Sequence, residues 1–193
     1  MVLRYLSGRG TLSPSLVGAR RRAYFGSFDC TILGGMSTPN VSTIEVPATT
    51  VVGVSGQFIS GHEPNSDAGE VIPALWARLT ESHGHAFHDA HWSVGVMSDV
   101  EGSSKMNYLA AIRLEDSEHN TQGLETLELP GGTYLACEHV GPLSTFRQTA
   151  VWFYSEFLPS SGARLREGYH LEIYDDRFDP ESKDSVVLIC APV

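Results

Sequence analysis

The chain has 193 residues, 41% of them hydrophobic, with 23 acids against 13 bases and a formal net charge of −10. That is enough apolar material for one good domain or two small lobes. The acidic balance argues against a nucleic-acid-binding surface, which phosphate repulsion would weaken, and no apolar run approaches the roughly 18 residues of a membrane span.

Residues 1–40 differ in kind from the rest. They hold five arginines (Arg4, Arg9, Arg20, Arg21, Arg22) and one acid, Asp29, so the remainder carries 8 bases and 22 acids, a formal −14. They read as a basic leader, disordered or processed. Three readings stay open: a basic, Ser-containing, acid-poor transit peptide, an upstream-extended start with Met36 as the real one, or an arm that touches RNA or a membrane. The first would send the protein to an organelle. Otherwise a cytoplasmic, reducing setting is the simpler expectation. Cys30, Cys137 and Cys190 are odd in number and widely spaced, with neither a CxxC nor a metal-ligand pattern.

From Val41 a folded domain is predicted, running to residue 193. Ser42 to Val54 is a strand, a bend at Pro47 and a second strand. A loop from Gly61 to Asp67 leads into a helix, with Asp67 and Glu70 at capping-box spacing. Pro73 is tolerated near its start, and the helix runs through Leu75, Trp76 and Leu79 to end before Gly84. Trp92 to Asp99 and Met106 to Leu114 follow as strands around a short loop. A polar linker, Glu115 to Gly123, precedes Leu124 to Leu129, a Pro130-Gly131-Gly132 turn and a strand that a Gly141-Pro142 pair stops. A helix from about Ser144 carries Phe146, Ala150, Phe153, Tyr154 and Phe157 on one face. The strand around Glu172 and a closing strand, Ser185 to Pro192, complete the chain.

The two halves repeat. Thr43, Glu45 and Pro47 fall on Thr126, Glu128 and Pro130 at a constant offset, and Trp92 to Asp99 matches Tyr169 to Asp176. Two tandem β-α-β-β units, 41–114 and 124–193, predict an α+β fold with pseudo-twofold symmetry. Its antiparallel sheet, continuous or in two facing parts, would carry two helices and a groove between the repeats. Grooves lined from both halves are natural ligand sites. On the strand Gly168 to Asp176, Leu171 and Ile173 point one way and His170, Glu172 and Tyr174 the other. That polar row is either a solvated sheet face or the centre of a pocket.

The stretches "LELPGGTYLACEHVGP", "FLPSSG", "YHLEIYDD" and "VVLICAPV", in that order and spacing, resemble the GyrI-like small-molecule-binding domain, the effector-binding module of MerR-type and AraC-type multidrug regulators. The resemblance is strong over the C-terminal half and looser over residues 41–123. It implies a groove between the repeats with a buried glutamate at its floor. That glutamate corresponds to Glu172, and the matching position in the first repeat, Gly95, has no side chain and leaves room. Residues 1–40 are too short for a DNA-binding domain, so a standalone form is expected. Departures are Phe157, where a tryptophan is frequent, and the divergent first repeat.

A carboxylate in an apolar pocket is costly to bury unpaired, and a ligand cation can offset that cost with help from aromatic walls. The expected walls are Trp92, Tyr108, Tyr134 and Tyr174, then Trp76, Trp152 and Phe146. The expected function is binding of amphipathic, cationic or electrophilic small molecules, without metal, cofactor, nucleic acid or membrane, as a monomer or homodimer. An alternative is hydrolysis of cyclopropane-type electrophiles, as in some standalone proteins the sequence resembles, with Glu172 catalytic and Tyr108 assisting. A third is a protein-interaction module of gyrase-inhibitor type. His83, His85, His88 and His91 crowd one stretch, but their spacing fits no closed tetrahedral metal site.

Overall fold

In a computed structural model the described residues are 38–193, apart from 61–62, 91, 118–120 and 181 and the side chains of 85 and 87–89. The expectations for the basic leader, Met36 and Cys30, and most of the histidine cluster, lie outside them. The strands are β1 (Val41–Val46), β2 (Thr49–Ile59), β3 (Ser93–Asp99), β4 (Lys105–Arg113), β5 (Glu125–Leu129), β6 (Gly132–Val140), β7 (His170–Tyr174) and β8 (Val186–Pro192). The helices are α1 (Ala68–Asp89), α2 (Leu143–Trp152) and α3 (Leu158–Ser161), with a π-helical turn, Phe153–Phe157, joining the last two. No helix among the described residues is long and apolar enough to cross a membrane.

The strands form one eight-stranded antiparallel sheet, ordered β1-β6-β8-β7-β3-β4-β2-β5. The first strand of each half pairs only with the other half: β1 lies on β6, and β5 lies on β2. Thr133 donates to Glu45 at 2.7 Å and Thr50 to Glu128 at 3.0 Å, so the two glutamates of the sequence repeat tie the two exchanged strands. The crossing is tight at the Pro-Gly-Gly turn. Gly131 has φ +58°, and a Cβ there would lie 2.4 Å from the Ala48 nitrogen. Only glycine serves both the left-handed backbone and the close approach.

The sheet has two kinds of face. On one, Val94, Val96, Leu109, Ala111, Tyr134, Leu171, Ile173 and Cys190 form a buried cluster that no helix among the described residues covers, and the sheet curls over it. The other face carries the helices. Leu75 and Leu79 of α1 pack on Val54, Phe58, Met97, Met106 and Tyr108. Phe153 and Leu158 pack on Cys137, Ile189 and Ala191.

Two helix expectations need correction. The Asp67 side chain does not cap α1, because its Oδ1 accepts a hydrogen bond from the Ile59 amide at 2.6 Å instead. The expected end before Gly84 is met only in part. The backbone leaves helical geometry at His83, and a further helical stretch runs on to Asp89, with Ala86 packed on Val52 and Ile112; that packing outweighs the cost of a helical glycine, about 1 kcal/mol. The second helix starts at Leu143 and is interrupted by the π-helical turn.

Tyr134 is fully buried on the helix-free face, with the Arg166 guanidinium 4.9 Å from its ring centroid, and its hydroxyl has no hydrogen-bond partner among the described residues. An orphan buried hydroxyl costs roughly 1–3 kcal/mol. Tyr134→Phe should therefore raise unfolding stability by about 1 kcal/mol in a urea titration. Any loss of stability would mean that the hydroxyl has a partner in solution.

Candidate functional site

The two halves meet where β3 pairs with β7, and there Gly95 is the register partner of Glu172. The neighbouring pairs are Ser93 with Tyr174 and Met97 with His170. By strand alternation all six lie on the helix-bearing face. The polar row of the sequence is therefore the floor between α1 and α2, and it is not a solvated face: Glu172 is 6% exposed and His170 7%.

Glu172 is held by phenols. The Tyr108 hydroxyl donates to its Oε2 at 2.7 Å and the Tyr174 hydroxyl donates to the same oxygen at 3.0 Å. Trp76 Nε1 on α1 donates in turn to the Tyr108 oxygen at 3.0 Å. Tyr108 stands on β4, two strands from Glu172, or about 9.6 Å between backbones at the usual strand spacing. Its ring reaches the carboxylate only by lying across β3 at the one position without a side chain. A Cβ on Gly95 would lie 2.1 Å from the Tyr108 oxygen and 3.0 Å from Glu172 Oε2.

Burial pushes the Glu172 carboxyl above its usual range, and the two phenol hydrogen bonds pull it partly back. Tyr108 and Tyr174 are pushed well above the normal phenol value, first by burial and then by the neighbouring carboxylate. Beside them His170 Nδ1 lies 3.2 Å from the Tyr154 hydroxyl, and burial lowers its pKa to about 4, so the ring is neutral. Burial raises the Cys137 thiol to about 12 and the Cys190 thiol further, so neither is a nucleophile.

Above this floor is a cavity of about 1090 Å³. Trp76 and Ile72 of α1 form one wall; Leu143, Phe146, Ala150, Val151 and Tyr154 form the other; Tyr174, Phe178 and Met97 complete it. The Trp76 and Tyr174 rings meet edge to face at 5.1 Å, and Tyr174 and Phe178 at 4.9 Å. Acids outnumber bases at the lining: Glu63, Asp99, Glu101 and Glu172 against Lys105 and Arg147.

The structure brings together Glu172, Tyr108, Tyr174, Trp76 and Phe146. Tyr108 holds Glu172 without itself lining the cavity, and three other expected walls lie elsewhere. Tyr134 and Trp92 pack in the cluster on the opposite face of the sheet. Trp152 packs beside Phe157, with ring centroids 5.5 Å apart, in the core under the second helix and outside the cavity. Met97 and Phe178 were not expected as lining. His170, which alternation had placed on the face of Glu172, and Tyr154 of the second helical segment line the cavity as well. Among the described residues no group of three or more His, Cys, Asp or Glu is arranged to hold a metal ion.

Residues 39–193 match the GyrI-like small molecule binding domain. The chain is similar to the transcriptional regulator BrlR of Pseudomonas aeruginosa, at 27% identity over 146 residues. That match covers 72% of this chain and 51% of the regulator, so the chain spans about half of that protein's length. Among solved structures it is similar to SAV2435 bound to tetraphenylphosphonium, with TM-score 0.60, 18% identity and coverage of 80% of this chain and 93% of that one. A transcription-regulation protein from Staphylococcus aureus MU50 gives TM-score 0.58 at 18% identity, covering 82% and 99%. The EcmrR C-terminal domain gives 0.52 at 15%, covering 81% and 98%.

Proposed function

The chain belongs to the GyrI-like small-molecule-binding domain family, and from that premise we propose that its cavity takes up amphipathic organic cations, with Glu172 as the counter-charge and aromatic side chains as the walls. One observation carries this reading. Glu172 is a buried carboxylate whose hydrogen-bond partners are neutral phenols, and no cationic side chain pairs with it among the described residues. A buried charge without an opposite charge is expensive, and a ligand cation removes that expense on binding. Trp76, Tyr174 and Phe178 present the ring surface that attracts cations, each contact contributing about 0.5–2 kcal/mol. The excess of acids at the lining draws cations in, more strongly at low ionic strength. A fold relative solved with tetraphenylphosphonium supports this chemistry.

Hydrolysis of strained electrophiles is the second reading, favoured by the same carboxyl. A desolvated glutamate facing a large cavity can accept a proton from an attacking water. The full chain should be titrated with a series of lipophilic cations, following tryptophan fluorescence, and incubated with cyclopropane electrophiles, following products by mass spectrometry. The expected result is saturable uptake of one cation per chain, with no product. Product formed over many turnovers would replace binding by hydrolysis as the function. Silence in both assays would remove the cavity from the account.

A further inference from the structure

We infer that the cavity selects cations that carry an N–H donor, such as protonated primary and secondary amines, over quaternary cations of the same body. This rests on the reading of the cavity as a cation site. It follows from how the protons around Glu172 are used. The Tyr108 oxygen accepts the Trp76 indole N–H, so its own hydroxyl proton goes to Glu172 Oε2. The Tyr174 hydroxyl proton goes to the same oxygen. A carboxylate oxygen has two in-plane lone pairs, and on Oε2 both are taken.

Oε1 accepts no hydrogen bond among the described residues, and it is not a fully enclosed atom. Glu172 lines the cavity, so Oε1 is the oxygen left for a ligand. At Oε1 the cavity offers an acceptor, and the two phenol protons that reach Glu172 are already spent on Oε2. A charge-assisted hydrogen bond to Oε1 adds to the Coulomb attraction that any cation feels. A quaternary nitrogen is shielded by its alkyl groups and can gain only the latter. His170 and Tyr154, also on the lining, share one hydrogen bond, and the imidazole is neutral, so neither they nor Ser93 places a competing positive charge beside Oε1.

The test is a matched pair of probes, 2-(1-naphthyl)ethylammonium and its N,N,N-trimethyl analogue. Both are titrated calorimetrically at neutral pH into the full wild-type chain, Glu172→Gln and Tyr174→Phe. The ammonium is expected to bind at least about tenfold tighter than the quaternary probe, the scale of a charged hydrogen bond. The extra methyl groups add apolar area, which works against that result and makes it informative. The preference should fall to within about twofold in Glu172→Gln and persist in Tyr174→Phe, which frees a lone pair on Oε2 and leaves Oε1 alone. Equal or tighter binding of the quaternary probe, with both probes weakened in Glu172→Gln, would overturn the selectivity and leave the cation site standing. A preference that survives in Glu172→Gln would also overturn it. If neither probe binds wild type, the cation site itself fails and this inference with it.

Discussion

Gly95→Ala is expected to lower stability by about 3 kcal/mol and to abolish ligand uptake. The new methyl group would sit 2.1 Å from the Tyr108 oxygen, 2.6 Å from its Cζ and 3.0 Å from Glu172 Oε2. Tyr108 is 1% exposed and cannot swing into open space. Its ring edge meets Phe58, and its oxygen is fixed by Trp76 and Glu172. Over-filling a packed region costs roughly 1–3 kcal/mol and sometimes more, and here the clash also breaks the bond that holds the carboxylate. Urea unfolding and cation titration on one preparation measure both effects. Combining Gly95→Ala with Tyr108→Leu should cost less than the sum of the two single changes, because both act on one contact. A Gly95→Ala protein that unfolds and binds like wild type would show that Tyr108 has another place to go.

Glu172→Gln should weaken cation binding by roughly thirtyfold or more while leaving the fold at least as stable as before. The binding loss follows from removing one member of a buried charge pair. The stability gain follows from the pH linkage of a carboxyl whose folded pKa is raised. Such a group gives its stability in full below the unfolded value of 4.5 and loses it as pH rises through the folded value. At neutral pH wild type therefore bears the cost of a buried carboxyl whose ionisation folding opposes, a cost the amide does not bear, on the order of 1 kcal/mol after relaxation. Melting curves of the two proteins should converge near pH 4 and separate as pH rises. His170 acts in the opposite sense: its pKa is lowered from 6.5 to about 4, so stability is lost as pH falls through that window. That contribution is common to both proteins and cancels in the difference. A variant that is less stable than wild type at neutral pH would mean that the carboxylate contributes to the fold itself.

Much of this was legible in local pattern. Strand alternation put His170, Glu172 and Tyr174 on one face, and they do share the floor. The glycine of the first repeat was read as leaving room beside the glutamate, and Gly95 is its register partner. What local pattern does not contain is which strands pair. Tyr134 is a large aromatic beside the right elements, yet it faces the curled side of the sheet, which is decided by pairing of the strands across the two halves; Trp92 is there too, and for it the alternation that set Gly95 beside Glu172 already implied the opposite face. The role of Tyr108 depends on the emptiness of a residue on a neighbouring strand. The extension of α1 past Gly84 depends on Ala86 reaching Val52 and Ile112. Each is a long-range contact, and one strand or helix read alone does not reveal it.

The exchange of β1 and β5 bears on how the domain is made. A ribosome releases the first half before the second exists. At that stage β1 has no partner, because its ladder and the Asn40–Glu138 hydrogen bond both reach across the chain, the latter over 98 positions. β2 meanwhile presents a bare edge, the place β5 will later take. Ladders of such separation close slowly, and an open edge invites other strands in the interval. The first half is thus a nascent chain with an unfinished sheet, and the floor of the cavity comes into being only when β7 is released and lies down against β3.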